Sequence, residues 1–555
     1  MERFYADLRR LAGLDDRATA YRQEQRTVAR AAEVPRVDAG FAEEMGDLAR
    51  RPGDSIELGT SVGSPGVKVR VPLREVAGSG HALVLGTTGA GKTRVVAGVA
   101  EGLLRRVARA PRSSGLCVLD HKGDLVALVR ALLGGLVDTL PPREAERLLD
   151  MFVVVDPFST EALVPLQILR PEPGVAPEVQ AYEITTLLNR LGGAELGVRQ
   201  DAFLFHAVLL GVTRGLSLPE LAGLLHDPAA LASAAESSAS PEVRAFFRGG
   251  PRVAAASLDG VSARLSRLLR LPSARLMLGA RGSVSFHQLL GEKIPLIDVG
   301  SPPLGCEDLG RFWAGLFTLK VTRAIFERSP EEAARPVAMF IDEWQEGLAA
   351  SGDMADHYER VLAMSRSRGV SLWLISQSLA GAQKVSATLP SIVQTNTTRQ
   401  LLFKASPEDA ARMGMLPVTG RRQRPAVLPW EERPRSPFLS ASEERELLVR
   451  EVSALPQRTF LYWNRDRPYR AELVRAGEVG GRGEALRSAS VARRLRVGSM
   501  AVPLRELEVP VAAVAETTFR PRQASAPLAP PLAPPLAPPP ASPAQPSRRS
   551  RRRSR

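Results

Sequence analysis

Gly86, Thr87, Thr88, Gly89, Ala90, Gly91, Lys92 and Thr93 follow the pattern G-x-x-x-x-G-K-T, whose physics is that of phosphate capture. The glycines let the backbone curl until several N–H groups point at one phosphate, and a helix that follows adds its positive end. Lys92 then neutralises the β- and γ-phosphates of a nucleotide, and Thr93 offers a hydroxyl to Mg²⁺. Such a loop needs an acidic partner, expected on a neighbouring strand. Asp342 and Glu343 supply one, emerging from the apolar run Val337, Ala338, Met339, Phe340, Ile341. Asp342 would hold Mg²⁺ through water, and Glu343 would polarise a water for attack on the γ-phosphate. A glutamate at this place favours ATP hydrolysis over a GTPase switch, in which a glutamine usually places the water. Gln377 closes another apolar run, 370–375, and an amide at the end of a central strand beside the loop can sense the γ-phosphate. Arg366 and Arg368 lie on the turn before that run, either as surface charges or as a finger reaching a neighbour's nucleotide. Asp120, His121, Lys122, Gly123 and Asp124 form a charged strand-to-helix turn on the expected ligand side of a sheet.

These residues need strands that end together. Short apolar runs at 67–71, 81–85, 116–119, 152–155, 294–299, 337–341, 370–375, 399–403 and 459–463 alternate with helical patterns. That rhythm predicts an α/β domain with a mostly parallel sheet. The stretch 176–284 breaks it: Ile184, Leu187, Leu188 and Leu191, then Val261, Leu265, Leu268 and Leu269, repeat at helical spacing with almost no strand signal. We read an all-α insertion. Asp342 follows Lys92 by 250 residues, far more than a minimal P-loop domain needs, which supports the same reading.

Taken jointly, the loop at 86–93, the Leu-Cys-Val-Leu-Asp-His-Lys-Gly-Asp-Leu run from Leu116, the helical stretch, Val-Ala-Met-Phe-Ile-Asp-Glu-Trp-Gln from Val337 and Arg-Ser-Arg-Gly-Val-Ser-Leu-Trp-Leu-Ile-Ser-Gln-Ser from Arg366 resemble the type IV coupling proteins of conjugative DNA transfer, part of the FtsK–HerA group of motor ATPases. The resemblance covers about 75–480. It implies a RecA-like domain assembling as a hexameric ring around DNA, with the insertion facing substrate and relaxosome. It assigns Lys92 and Thr93 to the P-loop, Asp342 and Glu343 to the second acidic motif and Gln377 to the third. It matches Arg366 to the arginine inserted into a neighbouring subunit's site. The membrane helices usual at the amino end of that family have no counterpart in this sequence.

The expected organisation is a helical arm (1–55), the first part of the ATPase domain (56–175), the insertion (176–284), the second part (285–480), and a linker with a tail (481–555). Leu8, Leu11 and Leu14 give the arm its helical spacing. Ten prolines lie between 524 and 546, and six arginines fall in the last eight residues, so the tail cannot bury a core and reads as disordered. It serves either to solubilise or as a nonspecific tether to nucleic acid. Of the net charge of +14, much resides there, leaving the rest only mildly basic. Apolar residues at 44% and charged residues at 24% exclude a wholly disordered or fibrous chain. Two cysteines, Cys117 and Cys306, exclude a disulfide scaffold and a zinc ribbon. The charged amino terminus lacks a signal-peptide core, and the most apolar stretch, 203–225, carries His206, Arg214 and Glu220, so a cytoplasmic protein reaching a membrane only through a partner is expected. The leading expectation is an ATP-driven DNA translocase acting with relaxosome or secretion-channel proteins. The alternative is a receptor that recruits and hands over protein substrates without moving DNA.

Overall fold

A computed structural model describes residues 39–507, apart from 79, 192–195, 249–254, 281, 301, 352–354, 414–437, 468–470 and 478–488. The arm residues before 39 and the tail after 507 lie outside the described residues. The strands are β1 (Ser55–Ser61), β2 (Lys68–Pro72), β3 (His81–Leu85), β4 (Gly115–Asp120), β5 (Phe152–Val155), β6 (Ala162–Leu163), β7 (Ile294–Asp298), β8 (Val337–Asp342), β9 (Val370–Ser376), β10 (Thr397–Leu402), β11 (Thr459–Asn464), β12 (Glu472–Ala476) and β13 (Val502–Pro503). Every apolar run expected to be a strand is one. The strands β1 and β12 were not anticipated, because Gly59 interrupts the first and the second is short and half-exposed.

Eleven strands form one sheet in the order β2-β1-β12-β11-β10-β3-β9-β8-β4-β7-β5. From β10 to β5 every pairing is parallel, and β2, β1, β12 and β11 extend the sheet antiparallel beyond β10. The parallel strands are buried on both faces, which explains their continuous apolar runs. Strand period two divides them between two cores. Ala82, Val84, Leu116, Val118, Phe340 and Trp373 pack against helices Lys92–Arg109, Asp124–Thr139 and Pro142–Met151. Leu83, Leu85, Cys117, Leu119, Met339 and Leu372 face the other side.

Between β6 and β7 the elements among the described residues are all helices, with Pro177–Asn189, Val198–Arg214 and Ala255–Leu269 the longest. Ile184, Leu187, Leu188, Leu191, Val261, Leu265 and Leu268 are all buried, as their spacing required. They belong to the same apolar cluster as Leu83 and Leu119, so the helical region packs onto that face of the sheet instead of closing a separate core.

One expectation is corrected. The stretch 481–555, expected as a linker and tail, instead begins with packed structure: helix Ala489–Val497 and the residues after it lie along the β5 edge. Leu495 is buried, its carbonyl accepts the Arg130 Nε–H at 3.0 Å, and the Ser499 N–H donates to the Phe152 carbonyl at 2.8 Å. Arg494 pairs with Glu146 and Asp150, and Arg496 with Glu161. The segment covers what would otherwise be an open strand edge. Its arginines are engaged by carboxylates between 146 and 161.

Candidate nucleotide site

The loop Gly86–Thr93 leaves the carboxyl end of β3 and runs into helix Lys92–Arg109. Gly89 (φ 77°) and Gly91 (φ 106°) take left-handed backbone, which bends the loop over the helix end. A side chain at Gly86 would bring a Cβ within 2.6 Å of the Phe403 Cβ, so only glycine lets the loop pass β10. The Thr87 N–H donates to the Lys404 carbonyl at 2.7 Å, and the Gly86 N–H to the Ser376 carbonyl at 3.3 Å, anchoring the loop to both flanking strands. The Lys92 ammonium donates to the carbonyls of Gly86 and Thr87, and Thr93 follows on the same helical turn. Burial draws the Lys92 ammonium below its ordinary range, while Glu343 and Asp342 oppose that shift.

Asp342 ends β8, and Glu343 follows with φ 48°, a left-handed conformation uncommon for a side-chain-bearing residue. The expectation that the acidic strand adjoins β3 is corrected: β9 lies between them. The gap is filled from β9 itself. The Thr88 hydroxyl donates to Gln377 Oε1 at 2.6 Å, and Gln377 Nε2 donates to Glu343 Oε1 at 2.5 Å. Gln345 Nε2 donates to Glu343 Oε2 at 2.7 Å, so both carboxylate oxygens are fixed. A side chain on the intervening strand thus ties loop to acid.

Burial, then the charges of Asp120 and Glu343, push the Asp342 carboxyl up to about 7, against the pull of Lys92 and Lys122. Asp120 is paired in register with Asp342, but its oxygens are already engaged by the N–H groups of Lys122, Gly123 and Val126. It caps helix Asp124–Thr139, whose entry is the left-handed Gly123. His121 beside it is half-buried, and burial of its ring depresses its pKa to about 4. The donor set fits a divalent cation: a crowded carboxylate held near Lys92, next to a threonine at a helix start. Among the described residues no group of three or more His, Cys, Asp or Glu side chains is arranged to hold a metal alone.

Two arginines separate. Arg368 donates to the Arg328 carbonyl at 2.6 Å, while Arg328 Nε donates back to the Arg368 carbonyl at 2.9 Å, a reciprocal clamp with a structural role. Arg366 is exposed, on the turn before β9. That turn is at the amino end of the sheet. The seven residues of β9, at roughly 3.3 Å each, put it about 20 Å from the Gln377 end. The structure therefore brings Lys92, Thr93, Asp342, Glu343 and Gln377 together and leaves Arg366 away from this chain's own loop.

Three neighbours of the site carried no sequence signal. Gln457 Nε2 donates to the Gly89 carbonyl at 2.9 Å, the Arg458 N–H donates to the Ala90 carbonyl at 2.9 Å, and Gln345 holds Glu343. Arg458 takes φ 63° against Gly91. Only the pairing β3–β10–β11 explains its place, since antiparallel β11 begins where parallel β3 ends.

Residues 56–190 match the family model for the central domain of helicase HerA, within the group expected from the motifs. No curated protein sequence matches the chain. Among solved structures, the plasmid coupling protein TrwB in complex with ADP and Mg²⁺ is similar, at 16% identity over 79% of this chain and 94% of that one, TM-score 0.48. TrwB in complex with the ATP analogue ADPNP gives 16% identity, 80% and 94% coverage and TM-score 0.48. VirB4 of Thermoanaerobacter pseudethanolicus gives 14%, 77%, 97% and 0.48. Among the described residues no helix is long and apolar enough to cross a membrane. The phosphate loop, the acidic strand end and the glutamine between them form one connected candidate nucleotide site.

Proposed function

We propose that the chain is an ATP-hydrolysing motor of the coupling-protein type, which binds DNA or a DNA–protein substrate and moves it as a ring of identical subunits. The observation that carries the reading is the Thr88–Gln377–Glu343–Gln345 chain. It links the loop that would hold phosphate to the carboxylate that would act on water. A change at the γ-phosphate would therefore be felt at β8 and β9 together, as a motor requires.

The residues take distinct roles. The backbone from Gly86 to Thr93 cradles phosphate, and Lys92 turns from its carbonyl partners to the β- and γ-phosphates. Thr93 and Asp342 would hold Mg²⁺, which when bound would neutralise phosphate charge. Glu343 orients the attacking water and accepts its proton at a carboxylate oxygen, while Gln377 senses the γ-phosphate. Arg366 serves the nucleotide of the adjoining subunit, since its own loop is at the opposite end of the strand. The helical region 176–284 is the substrate-facing insertion between the two ATPase parts, 56–175 and 285–480. In sequence the arm at 1–55 precedes them, and the segment 489–507 that covers the β5 edge follows. Membrane contact comes through a partner protein.

The test is the ATPase rate with and without single- and double-stranded DNA, run alongside mass measurement with nucleotide bound. A motor on DNA gives a rate that DNA raises and a mass that nucleotide raises to a ring. An ATPase indifferent to DNA, yet assembled, supports the substrate-handover receptor instead.

A further inference from the structure

At the amino end of the sheet, opposite the nucleotide loop, His81 opens β3 and is fully buried. Its Nδ1 accepts the Leu372 N–H at 3.0 Å. A neutral imidazole that accepts at Nδ1 carries its proton on Nε2. Nε2 lies 2.8 Å from the Leu362 carbonyl, to which it donates, with Ser365 Oγ at 3.3 Å beside it. Burial holds the ring neutral, with its pKa lowered to about 4.

The two partners of this ring have one thing in common. Leu362 lies in the last turn of helix Ala355–Met364, the leg entering the Arg366 turn, and Leu372 lies in β9, the leg leaving it. Between the legs the turn closes on itself. The N–H groups of Arg368 and Val370 donate to the Ser365 carbonyl at 3.1 and 2.8 Å, and the Gly369 N–H donates to the Arg366 carbonyl at 3.0 Å. Gly369 (φ 69°) passes so near Ala333 that an added Cβ would meet its carbonyl oxygen at 2.4 Å, and Arg368 is clamped to Arg328. The Arg366 charge is close enough to help depress both His81 and the buried Arg399, which itself donates to the Gly80 carbonyl at 2.5 Å.

We infer that His81 is a positioning residue for Arg366: by bridging both legs of the turn it fixes where the guanidinium stands, and it ties that turn to the strand that carries the same subunit's nucleotide loop. The inference rests on the reading of Arg366 as acting in a neighbour's site. Histidine suits the task for a chemical reason. A neutral imidazole offers an acceptor near the backbone and a donor two bonds further out. Asparagine reproduces only the near group and glutamine only the far one. The strand it begins is five residues long and ends at Leu85, where the loop starts, so a displacement of the loop and a displacement of the turn share one rigid element.

His81→Asn keeps an acceptor for Leu372 and loses Leu362; His81→Gln keeps the donor to Leu362 and loses the acceptor. Both should bind ATP with unchanged affinity and lower kcat by about 10- to 100-fold, the cost expected of misplacing a reacting group by about an ångström. Adding His81→Asn to Arg366→Ala should cost little more than Arg366→Ala alone, since both remove one function. Mixed with Lys92→Ala subunits, His81→Asn should regain activity, because an intact loop then meets a correctly held Arg366. Mixed with Arg366→Ala subunits it should not. Ser365→Ala, which removes one hydroxyl beside the same ring, should give the same mixing pattern with a smaller loss, and it serves if the His81 variants do not assemble. Wild-type kcat in His81→Asn beside a crippled Arg366→Ala overturns the inference and leaves the Arg366 role standing. So does a loss that co-assembled Lys92→Ala subunits cannot complement. Full activity in Arg366→Ala overturns the underlying reading itself.

Discussion

The two ends of the parallel strands were built by opposite rules. At the carboxyl ends charge is left unbalanced: Asp342 is pushed up to about 7 by burial and by two neighbouring carboxylates, and Glu343 sits in left-handed backbone. At the amino ends several buried polar groups are paired, although Arg399 Nε and Ser114 Oγ are not. His81 has a partner at each nitrogen, Glu75 receives Arg467 and Asn464, and Arg399 reaches Gly80 and Glu75. Imbalance is what a site needs if a cation and a polyphosphate are to complete it. Balance is what a mount needs if an exposed residue such as Arg366 is to stay in one place. One sheet thus offers a reactive end and a rigid end.

Changes at the reactive end should cost most. Lys92→Ala removes the main counter-charge to the transferred phosphate and should lower turnover by at least about 100-fold, read as steady-state phosphate release. Glu343→Gln should keep ATP binding, measured by calorimetry, and lower hydrolysis by about 10²- to 10⁴-fold, as loss of a general base does. Hydrolysis at the wild-type rate would remove Glu343 from the reaction. Gln377→Ala breaks the link between Thr88 and Glu343 and should give a smaller loss than Glu343→Gln, in kcat rather than in ATP affinity.

The smallest effect concerns stability, and its sign is opposite. A carboxyl whose folded pKa is raised to about 7 binds a proton more readily than in the unfolded chain, where the ordinary value is about 3.9. It therefore opposes folding increasingly as pH rises from about 4 to about 7, and by a constant amount above that. Asp342→Asn should abolish turnover yet raise the melting temperature without added Mg²⁺ and nucleotide. The gain should be near zero at pH 4.5 and largest above pH 7. A gain independent of pH would show that Asp342 is not the strained group. The corresponding change at the rigid end, Glu75→Gln, should lower the melting temperature, because Arg467 and Arg399 would lose a matched partner.

Much of the reactive end was legible from residue order, because its chemistry is local in sequence. A glycine-rich turn between a strand and a helix, and acids or amides directly after apolar runs, declare themselves within about ten residues. Strand order does not. Nothing in the run 337–341 says that β9 stands between it and β3, and so nothing says that Gln377 spans the gap. Asp120 looked like a ligand-side acid, and only its three backbone donors reveal a helix cap. Gln457 and Arg458 owe their places to the pairing of β11 with β10 and of β10 with the distant β3, and the helix Ala489–Val497 owes its place to the β5 edge, hundreds of residues earlier. The rigid end was nearly illegible, since a lone histidine before an apolar run carries no pattern, and its partners lie 281 to 291 residues away.

That one sheet serves two nucleotide sites, its own at the carboxyl ends and a neighbour's from the amino ends, is the claim most open to direct test. Arg366→Ala and Lys92→Ala subunits should each be inactive alone and bind DNA-independent partners of their own kind equally well. Co-assembled, they should recover ATPase activity, because an intact loop on one meets an intact arginine on the other. Arg368→Ala, whose guanidinium is committed to Arg328, should show no such complementation. Co-assembled Arg366→Ala and Lys92→Ala subunits that stay inactive would contradict the account.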